Sequence, residues 1–261
     1  MMQEPLYIIK ISGNIIDDEQ RLDAFLKQFA KLEGNKILVH GGGKLATKMA
    51  EQMAIPQKMI DGRRITDADT LRIVTMVYAG YINKQIVAKL QSMGTNALGI
   101  TGADGNAILA HKRQHATIDY GFVGDIDMVN ANLFDQLLQQ NTTVIIAPIT
   151  HDANGQLLNT NADTIAQEIA KALSGQYQTN LVYSFEKKGV LTDVNDDNSV
   201  INTLDRKKYE HLKSAGKIFA GMIPKLDNAF AAIEAGVSKV IIGQAEELTL
   251  LISAKSGTTI Q

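Results

Sequence analysis

Four short segments hold residue types that are costly unless they do something. The first is Lys10, which sits in the nearly continuous apolar run Leu6-Tyr7-Ile8-Ile9-Lys10-Ile11. Such a run reads as a strand buried on both faces. A lysine near its end needs a polar partner for its ammonium, and ligands of open α/β sheets gather at that edge; a lysine snorkelling to solvent would look the same. Ser12-Gly13-Asn14 follows as a turn and a second possible anion nest. The second segment is Gly41-Gly42-Gly43, at the end of the strand Lys36-Ile37-Leu38-Val39-His40 and before a helix. Small residues at a strand-to-helix junction can turn backbone N–H groups toward an anion, although a tight turn alone also calls for glycine.

The third segment, Asn159-Thr160-Asn161-Ala162-Asp163, precedes the apolar helix Thr164 to Leu173. One Asn or Asp suffices as a helix cap. This stretch supplies three at i, i+2 and i+4, and its carboxylate could hold lysine ammonium groups in place. The fourth is Gly221-Met222-Ile223-Pro224-Lys225, which puts a lysine in the first turns of a helix, against the macrodipole. Arg63 and Arg64, in a polar loop, are candidate carboxylate clamps, because a guanidinium binds a carboxylate through two donors.

Other templates fit these residues less well. Gly41, Gly43 and Ala46 satisfy G-x-G-x-x-[GA], and Asp61 lies twenty positions beyond Gly41, so a dinucleotide site is an alternative. However, Asp61 stands in the polar stretch 59–63, not at the end of an apolar strand, and the intervening helix is short. G-x-x-x-x-G-K-[ST], H-E-x-x-H and G-x-S-x-G do not occur. His111 and His115 are four apart but flanked by Lys112 and Arg113, with no acidic companion expected nearby, and read as surface. Asp193 to Asn198 superficially suggests a calcium loop, but a glycine at its sixth position and a glutamate at its twelfth are missing. No metal site is expected.

The elements that must position these residues alternate. Strands are expected at 6–11, 36–40, 96–101, 106–111, 144–149, 180–185 and 239–243. Helices are expected near 18–29, 44–53, 66–93, 131–140, 161–173, 204–214 and 225–235, with a polar loop at 57–65. Alternation of this kind means a mainly parallel open sheet with helices on both faces, an α/β sandwich. The 261 residues, 45% hydrophobic, allow a large core. The best candidate for a boundary between two lobes is 174–179. A net charge of −2 disfavours nucleic acid or an anionic membrane as partner. The absence of cysteine excludes disulfides and thiolate chemistry. No signal peptide or apolar stretch of spanning length appears, so a cytoplasmic location is expected.

Taken in order, Lys10-Ile11-Ser12-Gly13, Val39-His40-Gly41-Gly42-Gly43, Gly62-Arg63-Arg64-Ile65-Thr66, Leu158-Asn159-Thr160-Asn161-Ala162-Asp163 and Gly221-Met222-Ile223-Pro224-Lys225 resemble the motif series of the amino acid kinase family, along essentially the whole chain. The resemblance implies an αβα sandwich with an N-terminal lobe, 1–176, for an N-acylated glutamate and for dimerisation, and a C-terminal lobe, 177–261, for ATP. It implies ATP with Mg²⁺, a homodimer, and transfer of a phosphoryl group to the substrate's side-chain carboxylate in arginine biosynthesis. Acetyl is the acyl group it favours; the alternatives are succinyl, or another kinase of the same fold acting on aspartate, glutamate, carbamate or a nucleotide. By position, Lys10 and Lys225 would stabilise the transferring phosphoryl group and Asp163 would organise them. Gly13 and Gly43 would donate N–H groups to phosphates, with Ser184 and Met222 on the nucleotide side. Gly42, Gly43, Arg64 and Asn159 would hold the acyl amino acid. Arginine-regulated relatives carry an additional helix before the first strand, so regulation by arginine is not expected here. An ionised carboxylate acceptor, with a pKa of ~4.3, needs no general base.

Two positions depart from the family pattern. Ser12 stands where a glycine is usual; if that position required positive φ, a serine would cost about 1 kcal/mol. Ser184-Phe185-Glu186-Lys187-Lys188-Gly189 stands where many relatives have a shorter stretch beginning Ser-Asp or Thr-Asp.

Overall fold

The computed structural model describes residues 3–60, 63–193, 196, 198–218 and 222–261. The chain begins with β1 (Pro5–Ile11), the single turn α1 (Gly13–Ile16) and α2 (Glu19–Ala30). Next come β2 (Asn35–Val39), α3 (Gly43–Gln52) and the hairpin β3 (Lys58–Ile60) and β4 (Arg63–Ile65). A long helix follows, divided into α4 (Ala68–Thr75), a π-helical segment Met76–Ile82 and α5 (Asn83–Ser92), and then β5 (Ala97–Ile100). The middle of the chain adds β6 (Ile108–Lys112), β7 (Gly124–Val129), α6 (Ala131–Gln139) and β8 (Thr143–Ile146). It closes with β9 (Ile149–His151), β10 (Leu157–Asn159) and α7 (Ala162–Leu173). The last third contains β11 (Gln178–Phe185), β12 (Thr203–Leu204), α8 (Arg206–Ser214) and α9 (Ile223–Glu234). β13 (Lys239–Gln244), α10 (Leu248–Ile252) and β14 (Thr258–Ile260) complete it.

One eight-stranded sheet, ordered β12-β14-β13-β11-β1-β2-β8-β5, runs through the molecule. It is parallel except where β14 pairs antiparallel with β13. β1 lies at its centre, between β11 and β2. Side-chain alternation on these strands divides the core in two. Leu6, Ile8, Val39, Leu181 and Tyr183 pack with α6, α7, α8 and α9, whereas Ile9, Ile11, Leu38 and Val182 pack with α2, α3, α4, α5 and α10. The expected sandwich is therefore present.

The differences are local. The expected polar loop at 57–65 contains the β3–β4 hairpin, whose pairing includes Met59 with Arg64. The helix expected over 66–93 keeps its extent, with a π-helical middle. A second sheet, β10-β9-β6-β7, lies beyond the expected strands except for β6: β9 and β10 have only three residues each, too few to show alternation, and the six-residue β7 carries two aspartates among its apolar residues. α3 leads into the hairpin rather than a neighbouring parallel strand, so the dinucleotide-binding βαβ unit is not formed. Asp61 and Gly62, Gly221, and Val194, Asn195 and Asp197 of the calcium-like run lie outside the described residues. His111 does have an acidic partner, Asp127 on the paired strand β7, at 2.6 Å and exposed. The strand pairing supplies this carboxylate from a position distant in sequence. Among the described residues, no helix is long and apolar enough to cross a membrane.

Candidate active site

The C-terminal ends of β1, β2, β8 and β11 open onto a cleft of about 400 Å³. Gly42, Gly43, Arg64, Asn159, Asp163 and Lys225 all line it, so six of the residues singled out in sequence converge there. Lys10 joins them through its ammonium, 2.7 Å from Asp163 Oδ1, with only 13% of the lysine side chain exposed.

Each position has a local cause. Lys10 is on the face of β1 that looks toward α7, and its register partners are Tyr183 on β11 and Val39 on β2. Asn161 is the N-cap of α7: its side-chain oxygen accepts from the N–H groups of Asp163 and Thr164 at 2.8 and 3.1 Å. The cap frees Asp163, in the helix's first turn, to meet Lys10. Lys225 stands in the first turn of α9, directly after Pro224, a residue suited to a helix start. Burial pushes its ammonium pKa down; Asp163 counteracts this and the charge of Lys10 adds to it.

On the other side, the glycine turn is locked. Gly42 caps α3 with φ +142°, a backbone state an L side chain rarely adopts, and an added Cβ would lie 2.2 Å from Ile82 Cδ1. Beneath it, fully buried His40 is 2.9 Å from the Gly41 carbonyl through Nδ1 and 3.2 Å from Asn83 Nδ2 through Nε2. A single neutral tautomer satisfies both contacts, Nδ1–H donating and Nε2 accepting. Burial, and secondarily Lys84, hold the His40 pKa down at about 4, against the opposing bond to Gly41. Arg64 donates from Nη2 to the Gly43 carbonyl and to Thr47 Oγ1, both at 2.9 Å, and from Nη1 to Gln57. The neighbouring Tyr78 phenol is buried, which pushes its pKa up. Asn159 donates to Thr66 Oγ1 at 3.0 Å.

The remaining expected residues are placed differently. Gly13 starts α1 with open space where a Cβ would be. Ser12 has φ −72° and ψ 154°, ordinary extended backbone, so the anticipated cost of a serine is absent. Ser184 alternates onto the face opposite Lys10 and is fully buried beside Ile11 and Gly243, so its hydroxyl does not face the cleft. Met222 packs against the core under α9 and does not line the cleft. Conversely, Tyr78, Arg113, Tyr120, Tyr183 and Phe185 do line it and were not singled out as site residues. Arg113 is held by both oxygens of Asp125 at 3.0 and 3.2 Å from Nε.

Known proteins resemble this chain along most of its length. The family model described as "Amino acid kinase family" matches residues 5–244. An acetylglutamate kinase of Cytophaga hutchinsonii is 59% identical over 251 residues, covering 96% of this chain and 95% of that protein. Another, of Phocaeicola vulgatus, is 52% identical over 260 residues, covering all of both. Among solved structures, N-acetylglutamate synthase from Neisseria gonorrhoeae, complexed with coenzyme A and N-acetyl-glutamate, superposes with a TM-score of 0.83 at 20% identity, over 100% of this chain and 60% of that one. With the motifs gathered at one sheet edge and the match spanning nearly the full length, the chain belongs to the amino acid kinase family.

Proposed function

We propose that this protein transfers the γ-phosphoryl group of ATP to the side-chain carboxylate of N-acetyl-L-glutamate, giving an acyl phosphate in a step of arginine biosynthesis. The observation that carries this reading is the convergence, in one cleft, of the Lys10–Asp163 pair and Lys225 opposite the Arg64-lined glycine turn. Its support from relatives is the name of the proteins 52 to 59% identical to it.

The chemistry follows from charge. The acceptor carboxylate is ionised at neutral pH, so no proton need be removed. The obstacle is the approach of an anion to a polyanion, which positioning and cationic stabilisation overcome. In this reading Lys10 and Lys225 meet the charge of the transferring group, and Asp163 organises them, pairing with Lys10 and attracting Lys225 by its charge alone. Backbone N–H groups at Gly13 and Gly43 face the phosphates. Arg64 and Asn159 hold the α-carboxylate, with Gly42 allowing close approach. ATP enters with Mg²⁺ on its β- and γ-phosphates, the metal arriving as part of the substrate. His40, buried and neutral, supports the turn rather than exchanging protons with substrate.

We further infer that residues 1–176 form the acyl amino acid lobe and 177–261 the nucleotide lobe. Arg64 and Asn159 come from the first and Lys225 from the second, on a sheet that both share. Exposed Met76 and Tyr81 on the long helix, with Leu98 on β5, support a homodimer. The deciding experiment traps acyl phosphate as its hydroxamate from N-acetylglutamate, N-succinylglutamate and glutamate. The expected order places N-acetylglutamate first and free glutamate near background. Absence of product from every acylated glutamate would overturn the proposal.

A further inference from the structure

Lys10 and Lys225 are held in different ways. Lys10 has a carboxylate partner. Lys225, equally committed to the cleft, makes no hydrogen bond or ion pair among the described residues; its Nζ instead lies 3.8 Å from the centroid of the Phe185 ring. The same ring is 5.8 Å from Lys10 Nζ. Strand alternation explains how the ring gets there. Tyr183 is the register partner of Lys10, and Phe185, two residues further along β11, shares its face. The two rings stack with centroids 6.1 Å apart and planes 14° apart, and the Tyr183 hydroxyl reaches the Asp163 carbonyl at 3.4 Å. An aromatic pair on one strand thus touches all three members of the charged cluster.

A desolvated ammonium must find compensation somewhere. A carboxylate at this position would supply it as an ion pair, but would set a second negative charge, beside that of Asp163, where the phosphate has to arrive. The quadrupole of an aromatic face attracts the cation, most strongly where water is excluded, and leaves its formal charge intact. We propose that Phe185 is a positioning residue for phosphoryl transfer, its ring holding the Lys225 ammonium in the cleft until phosphate oxygens replace it. This rests on the functional reading given above. It also gives the Ser184-Phe185 departure from the usual Ser-Asp or Thr-Asp a physical purpose.

The test compares Phe185→Leu with Phe185→Tyr and Phe185→Trp, all with Tm measured. With N-acetylglutamate, the Leu variant is expected to lose about tenfold in kcat while its KM for the acyl substrate stays within about twofold. The two aromatic variants should recover most of the loss. A Leu variant with unchanged kcat, or aromatic variants no better than Leu at matched Tm, would overturn the proposal. A second readout does not need turnover. Lysines are reductively methylated with ¹³C-formaldehyde, and the resonance missing from Lys225→Arg is assigned to Lys225. It should be shifted upfield by the ring in wild type and in Phe185→Tyr, and not in Phe185→Leu. If no acyl phosphate forms at all, the functional reading fails, and this resonance still decides the contact: the same chemical shift with and without the ring overturns it.

Discussion

The two sides of the cleft are built on different physical terms. On the side proposed for the acyl substrate, Arg64, Gln57, Thr47 and Gly43 are cross-linked by hydrogen bonds, and Gly42 is packed against Ile82 and Tyr78. On the side proposed for the nucleotide, Lys10 rests on one ion pair and Lys225 on one aromatic ring. A carboxylate must be recognised in a fixed orientation, which rigid planar donors serve well. A phosphoryl group spreads its charge over three oxygens as it transfers, and positioned ammonium point charges can meet it without the planar fork that a carboxylate calls for. On the function proposed above, specificity belongs to the cross-linked side and rate to the side tethered by the ion pair and the ring.

The largest effect should come from breaking the tethered side. Lys225→Met, like Lys10→Met, removes a charge that counts most in the transition state, and a loss in kcat of about 100-fold or more is expected. KM for the acyl substrate should stay within a few-fold. The complementary change, Arg64→Lys, keeps the charge and loses the planar fork. It should raise that KM about tenfold and change kcat far less. Steady-state kinetics with hydroxamate detection reads both, and a kcat defect in Arg64→Lys as large as that of Lys225→Met would erase the division between the two sides.

The cross-linked side also makes a pH prediction. Native His40 stays neutral until about pH 4, whereas in the unfolded chain it protonates near 6.5. Between those values the unfolded state binds the extra proton, so this contribution is fully present above 6.5 and is lost as pH falls toward 4. The whole loss amounts to about 3 kcal/mol. Urea unfolding at pH 7 and pH 4.5 measures it. His40→Gln should show a clearly smaller difference between the two pH values than wild type. Equal differences would mean that the glycine turn does not depend on a buried neutral imidazole.

How these features could be read beforehand differs in the same way. Lys10, Asp163, Lys225 and the glycines stand out in sequence because each is a residue type in an expensive place: a cation in an apolar strand, a carboxylate beyond the cap that needs it, a lysine against a helix dipole. Phe185 and Tyr78 carry no such signal, since an aromatic residue in a strand or amphipathic helix belongs to the core by default. What turns them toward the cleft is the register of β11 on β1 and the line of contact between the long helix and the glycine turn. Both are tertiary facts. The π-helical turn beside Gly42 and the three-residue strands β9 and β10 escape for a related reason, because their geometry is imposed by neighbours rather than by local periodicity.

Ser12 supplies the smallest and most discriminating change. With φ −72°, its backbone needs no glycine, and Gly13 is also outside the left-handed region. Ser12→Gly would then relieve no strain and would add freedom to the unfolded chain, costing about 0.5–1 kcal/mol of stability. Turnover should change by less than about threefold. The hydroxyl of Ser12 is buried beside the turn with no partner among the described residues. A tenfold gain in kcat for the glycine variant would therefore place the obstacle in that oxygen, facing phosphate, and not in the backbone. A loss of similar size, at unchanged Tm, would make the oxygen a phosphate contact and add a directional bond to the lysine side of the cleft.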